Sequence, residues 1–268
     1  MSQYLNITNN PMSIFSQYRQ HFHSSYEVYY FLEGDADYLV EGNEYHLTPY
    51  SLILLAPFVH HGIRVNSDAV YSRCTLYFSP NDISPERSSL LLSVFPNSKR
   101  SQQVVYYENV REYHFENFYQ NLQSAETLPS FMQAQCHSIF LESILAQVHI
   151  MCQNRCPSSV SATAPSVITE IIEYLNNHIV KHHSLDELSE RFHISKYYMN
   201  KLFKKTTGMT VIDYLIFKRV VLGKHYILNG ENAANAALMV GFSDYSSFFR
   251  AYKRVLGTSP SASKELRQ

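Results

Sequence analysis

His21, His23 and Glu27 stand at positions of one parity in the stretch HFHSSYE and would share one face of a strand. With His60 or His61 they make a set of imidazole nitrogens and a carboxylate that could hold Zn, Fe or Mn. A pocket of His21, His23, Glu27, Tyr29, Phe31 and His60 would equally suit a sugar, its C–H faces stacked on rings and its hydroxyls bonded to His and Glu. A third reading is that these groups pair with one another inside a small barrel. Catalytic serine, P-loop and dinucleotide motifs are absent from the sequence, so an enzyme would rest on the histidines alone.

A second constellation lies near the C-terminus. On a helix starting after Ser195, Met199, Leu202 and Phe203 form a buried stripe, which leaves Tyr197, Asn200, Lys201 and Lys204 outside and Lys205 near the helix end. With an offset of 49 the pattern recurs: Lys201 matches Arg250, Phe203 matches Tyr252, Lys205 matches Arg254 and Gly208 matches Gly257. In the second copy Phe248, Ala251, Tyr252 and Val255 turn inward and Ser246, Phe249, Arg250 and Lys253 outward. Amide, hydroxyl, aromatic and basic groups on one exposed face are what reads base edges in a major groove. A solvated charged face explains one such helix; it does not explain why the same face occurs twice.

The elements that must position these groups divide into two regions. Residues 20 to 80 fall into short Tyr-, Val- and Leu-rich runs bounded by Gly34, Gly42, Pro49 and Pro57, which predicts a meander of antiparallel strands closing into a sandwich or small barrel. From Val110 the apolar spacing becomes helical, with Pro129 separating two helices. The stripe Ile144, Leu145, Val148 and Met151 on the second either covers the barrel or forms the seam of a homodimer. After Pro165 the pattern is helical throughout. Ser184 and Glu187 form a capping box, and a short helix, a three-residue turn and a helix capped by Ser195 make a helix-turn-helix. The helix from Thr210 to about Leu228 joins the two copies; at 1.5 Å per residue it is roughly 28 Å long, near the ~34 Å between successive major-groove faces.

Charge follows the same division. Residues 1 to 165 carry 8 Lys and Arg against 14 Asp and Glu, and residues 166 to 268 carry 14 against 9, so an acidic half precedes a basic one. The small-residue, Pro-containing segment 156–166 reads as a linker, between a domain of residues 1–155 and one of 167–268. The longest apolar stretch, Leu52 to Val59, is far short of the roughly 20 residues of a membrane helix, and no signal pattern opens the chain. The expectation is a cytoplasmic protein without a membrane partner. Cys74, Cys136, Cys152 and Cys156 read as reduced thiols, three of them packed in helices.

The run from Val240 to Pro260, VGFSDYSSFFRAYKRVLGTSP, resembles the end of the double helix-turn-helix of AraC/XylS-type transcription regulators, a resemblance that extends over the C-terminal hundred residues. It implies that Tyr197, Asn200 and Lys201 read bases in the first unit and Ser246 and Arg250 in the second. Departures are the alanines Ala233, Ala234, Ala236 and Ala237 opening the second unit, which imply looser packing there, and Lys264 where an Arg is usual. His21-Phe-His23-Ser-Ser-Tyr-Glu27, followed by six residues and then Gly34, resembles the first cupin motif, and Pro57 with His60 and His61 a shortened second one. Together they imply an α+β multidomain chain: an N-terminal cupin-like antiparallel β-barrel with helices and an all-α C-terminal region. The function implied is a one-component regulator that binds double-stranded DNA as a homodimer under a small-molecule effector, commonly a sugar, with no metal or cofactor. RNA polymerase is a further partner if the regulator is an activator. The rival is a metal-dependent cupin enzyme, or metal sensing, in the N-terminal domain.

Overall fold

The computed structural model describes residues 5–11, 19–95, 106–158 and 166–262. The chain divides into two compact units, Met1–Ala162 and Thr163–Gln268. Most of the linker segment, residues 159–165, and Lys264 lie outside the described residues.

The first unit contains β1 (Leu5–Pro11), β2 (Arg19–His21), β3 (Tyr26–Glu33), β4 (Ala36–Val40), β5 (Asn43–His46), β6 (Ser51–Leu55), β7 (His61–Val65), β8 (Val70–Phe78), α1 (Pro85–Leu92), β9 (Tyr106–Tyr107), α2 (Phe115–Ser124) and α3 (Ser130–Asn154). All strand pairs are antiparallel, in one sheet of order β1-β8-β3-β6-β9 and another of order β2-β7-β4-β5. The expected meander is corrected here: β4 and β5 are the consecutive strands that pair, and elsewhere the chain crosses to a distant partner. Turn residues mark where strands end, but partner choice follows from which faces must be buried together, and that is not a local property.

β6 is buried on both faces, which is why SLILL lacks alternation. Ile53 and Leu55 join Tyr29, Phe31, Tyr38, Val40, Tyr45 and Tyr71 between the sheets, while Leu52 and Leu54 face the helices with Val28, Tyr30 and Leu76. α3 supplies Leu141, Ile144, Leu145, Val148 and Met151 to that helical layer, none more than 4% exposed. Of the two roles foreseen for this stripe, covering the barrel is what the structure has. It leaves no part of these side chains for a seam. Cys74 is buried in β8 and Cys136 and Cys152 lie half-buried in α3, so two cysteines, not three, sit in helices; all four thiols are free.

The second unit is helical: α4 (Val167–Asn177), α5 (Leu185–Arg191), α6 (Lys196–Thr207), α7 (Val211–Leu228), α8 (Ala233–Met239) and α9 (Tyr245–Leu256). It has two cores strung on α7. Val211, Tyr214 and Leu215 pack with Ile168, Ile171, Leu188, Met199 and Phe203; Val220 and Ile227 pack with Ala236, Ala237, Val240, Phe248 and Tyr252. A helix that serves two cores in succession has apolar residues on every side, which accounts for the dense apolar run of VIDYLIFKRVVLGKHYIL. Of the alanines of α8, Ala236 and Ala237 are fully buried in the same core as Phe248, whose ring lies 2.7 Å from where a Cβ on Gly223 of α7 would stand.

Candidate nucleic-acid interface and histidine cluster

The two helix-turn-helix units repeat down to their hydrogen bonds. In the first, Ile194 N donates to Ser189 O at 3.1 Å; in the second, Phe242 N donates to Ala237 O at 3.0 Å, 48 residues on. His193 at φ 51° and Gly241 at φ 85° occupy the same place in the two turns. Ser195 then caps α6 by accepting from Tyr198 N, and Asp244 caps α9 by accepting from Ser247 N, 49 residues on. The change of offset locates a one-residue insertion in the second turn. Both recognition helices end on a left-handed glycine, Gly208 and Gly257. The Ser184–Glu187 capping box is present at the start of α5.

Tyr197 is 79% exposed, and Lys201, Lys204 and Lys205 are exposed on α6. With Asn200 and Thr210, the first three border an open depression of about 540 Å³. On α9, Ser246, Arg250 and Lys253 are exposed, and Arg250 Nη2 donates to Ser247 Oγ at 3.2 Å. Two expectations are corrected. Asn200 is half-buried rather than fully outside, and its Oδ1 accepts from Val211 N at 3.2 Å, which ties one of its two lone pairs to the first turn of α7. Phe249 is half-buried, 6.0 Å from the Tyr245 ring, rather than projecting freely. Tyr198 and Tyr245, 51% and 41% exposed, lie on the first turns of the two helices and were not singled out from sequence; they stand 47 residues apart, so the offset of 49 does not pair them.

α7 also carries the residue that locks the second turn in place. Arg219 Nε donates to Ile179 O at 2.9 Å, Nη2 to Lys181 O at 2.6 Å and Nη1 to Gly241 O at 3.0 Å, joining the segment after α4 to the turn before α9. Gly241 is at close approach: a Cβ would stand 2.6 Å from Val180 O.

In the first unit Glu27, Tyr29 and Phe31 face the space between the sheets, as their parity predicted. Tyr29 and Phe31 are 2% and 0% exposed and belong to the packed core between the sheets, with Tyr29 4.7 Å from Tyr38 and Phe31 5.8 Å from Tyr71. The histidine that joins Glu27 is His61, not His60. His61 Nε2 lies 3.3 Å from Glu27 Oε2, whereas His60 is held through its backbone, its N donating to Glu41 Oε1 at 2.7 Å. β7 begins at His61, and its one-residue alternation sends His60 to the other side. His21, His23 and His61 each place a ligand-capable atom within 4.8 Å of the others. His23 Nε2 is 2.8 Å from Glu27 Oε2, and Tyr38 donates to Glu27 Oε1 at 3.3 Å. Tyr38, Arg73 and Tyr77 complete the surroundings: β8 pairs Tyr77 with Glu27 and Arg73 with Phe31.

Burial pushes the Glu27 carboxyl up, but contacts with His23 and His61 outweigh it and hold the group down to about 2. Burial pushes His61 down, and the Glu27 contact outweighs that and raises it. Glu27 therefore contributes stability above the ordinary carboxylate range that is lost as pH falls toward 2, and His61 contributes stability below about 6.5 that is lost as pH rises through its raised value.

A β-barrel with a histidine cluster at one end, on a chain that also carries two recognition helices on a shared scaffold, defines a regulator with separate ligand and DNA-binding parts. Two family descriptions match it: an AraC-like ligand binding domain over residues 15–128 and a helix-turn-helix domain over residues 188–265. The chain belongs to the AraC family of transcription regulators, with an effector-binding domain followed by a DNA-binding helix-turn-helix domain. Among its relatives are the bifunctional transcriptional activator/DNA repair enzyme AdaA of Bacillus subtilis, 28% identical over 97 residues covering 36% of this chain and 46% of AdaA. The transcriptional activator RhaS of Yersinia pestis is 25% identical over 120 residues, 44% of each protein. The chain thus spans less than half the length of these curated relatives. ToxT from Vibrio cholerae O395 aligns over 100% of this chain and 99% of its own, with 14% identity and a TM-score of 0.40. Among the described residues no helix is long and apolar enough to cross a membrane.

Proposed function

We propose that this chain binds specific DNA sequences through α6 and α9 together and controls transcription in response to a small effector held by its first unit. The observation that carries the reading is the duplicated recognition face: Tyr197, Lys201 and Lys204 on α6, and Ser246, Arg250 and Lys253 on α9, all exposed and each helix fixed by its own cap. α7, 18 residues and about 27 Å long, spaces them to enter successive major grooves. In this reading exposed Arg250 forks onto guanine, and Lys205, in the last turn of α6, contacts a phosphate. Arg250→Ala should cost about 1–3 kcal/mol on the cognate site and flatten discrimination at one base pair, while Lys205→Ala should weaken all sequences alike and lower the salt slope by about one ion. Titrations on cognate and scrambled duplexes over a range of salt separate the two; equal losses on both duplexes for Arg250→Ala would contradict base readout.

The partner for assembly is a second copy, through a face of α3 other than the one first expected. Met132, Ile139, Ala146 and Ile150 are exposed at spacings of seven, seven and four, and Glu142 is the one Asp, Glu, Lys or Arg in the whole helix. For the effector, a cleft of about 450 Å³ between α2, α3 and the end of β8 has polar walls in Asn81, Gln133 and Ser138 and apolar ones in Leu76, Leu122 and Leu141. That volume and lining suit a metabolite of sugar size. The reading is of a regulator and not a catalyst, since the packed aromatic interior beside the histidine cluster provides little room for a substrate. AdaA and RhaS are both activators, which supports activation here, with RNA polymerase as the protein partner.

A further inference from the structure

The repeat continues past the glycines that end the two recognition helices, and there it holds an unequal pair of residues. Asp213 N donates to Thr210 Oγ1 at 3.2 Å and, 49 residues on, Ala262 N donates to Ser259 Oγ at 3.3 Å. The first copy thus has a carboxylate where the second has a methyl group. That carboxylate reaches into the other copy: Asp213 Oδ1 lies 3.5 Å from Arg254 Nη2, while its Oδ2 accepts from Thr210 Oγ1 at 2.8 Å. Arg254 stands one turn beyond Arg250 on α9, as Lys205 stands one turn beyond Lys201 on α6, so a cation at either place borders the DNA-reading face. Asp213 lies in the first turn of α7, where Val211 and Tyr214 pack in the first core, whereas α9 packs in the second. The ion pair therefore ties the end of one reader to the start of the scaffold that carries both.

On the regulator reading, which this deepens, we infer that Asp213 withholds Arg254 from the DNA backbone and so makes the two readers unequal, with a phosphate contact at the end of α6 and none at the end of α9. A guanidinium already paired with a carboxylate neutralises no phosphate charge, and the carboxylate itself repels the phosphate. Arg254 and Asp213 are 61% and 51% exposed, so their pairing adds little to stability and acts through charge. The consequence is a lower affinity for DNA of any sequence, which leaves recognition by α9 to the base contacts of Ser246 and Arg250. The same pair holds the last turn of α9 against α7 and so helps to keep the spacing of the two readers.

The test measures the salt dependence of duplex binding by the full-length chain, its Asp213→Asn and Arg254→Ala variants and the variant carrying both. The probes are a duplex selected from random sequences and a scrambled version of it. Asparagine keeps an oxygen to accept from Thr210, so the start of α7 and the melting temperature should be preserved. In Asp213→Asn the slope of log affinity against log salt should steepen by about one ion, and affinity for the scrambled duplex should rise about fivefold at low salt. Arg254→Ala alone should leave the slope at its wild-type value, and combining it with Asp213→Asn should restore that value. Asp213→Glu, which keeps the charge, should match the wild type. A slope that falls by about one ion in Arg254→Ala, an unchanged slope in Asp213→Asn, or a steepening that persists in the double variant would overturn the inference. A wild type that binds both duplexes equally overturns the regulator reading alone, because the slopes still report on Arg254; one that binds neither overturns both.

Discussion

Gly241→Ala should destabilise the second unit by about 2–4 kcal/mol, lowering its melting temperature by roughly 10 °C or more, and should nearly abolish sequence-specific DNA binding. Two penalties combine at this position. The backbone sits at φ 85°, where a side chain costs about 1 kcal/mol, and the new Cβ would meet Val180 O at 2.6 Å, a backbone atom that cannot swing aside. Relief of the clash must move the turn before α9 away from the segment after α4, which breaks the bond from Arg219 Nη1 to Gly241 O and lets α9 shift relative to α6. Gly208 and Gly257 supply the control: their φ values are 74° and 72°, but nothing lies within 4 Å of an added Cβ. Alanine there should cost about 1 kcal/mol and leave base preference intact. Calorimetry of the three variants, with titration of a cognate duplex, checks this; equal effects at Gly241 and Gly208 would mean that the close approach does not hold the second reader in place.

Ile139→Glu together with Ile150→Glu should yield a folded, soluble monomer whose operator affinity is about a hundredfold or more weaker, because the second half-site would no longer be bound at high effective concentration. The two side chains are 63% and 50% exposed, so the charges remain hydrated in the separated chain and are buried only if α3 pairs with its copy. Leu145→Glu together with Val148→Glu should behave differently. Both residues are fully buried against the sheet, and two unpaired carboxylates there should unfold the first unit instead of separating two chains. Sedimentation velocity and circular dichroism on both double variants distinguish the outcomes. A wild-type chain that sediments as a monomer at micromolar concentration would remove the seam.

The contrast between these pairs also marks where sequence reasoning stopped. Periodicity located α3 and its apolar stripe, but α3 is apolar on more than one side, and a stripe carries no label for sheet or partner. Strand parity put Glu27, Tyr29 and Phe31 on one face correctly. It gave no guide to whether that face would enclose a cavity, because packing depends on Tyr38, Tyr45 and Tyr71 arriving from strands whose pairing is non-local. His60 and His61 were equivalent candidates until β7 fixed the alternation. In the second unit almost everything was local: caps, turns, helix-terminal glycines and an exact spacing are written within a few residues of each other, so both recognition helices could be read. Arg219 could not, since its three carbonyl partners come from two segments 22 to 40 residues away.

The central claim is that two readers on one scaffold contact separate stretches of a single duplex. Selection of binding sites from random duplexes by the wild type, Lys201→Ala and Arg250→Ala tests it most directly. The account predicts that each variant relaxes preference at its own position, with the two positions about 10 base pairs apart, one turn of DNA. Changes at adjacent positions, or no change in either variant, would contradict it.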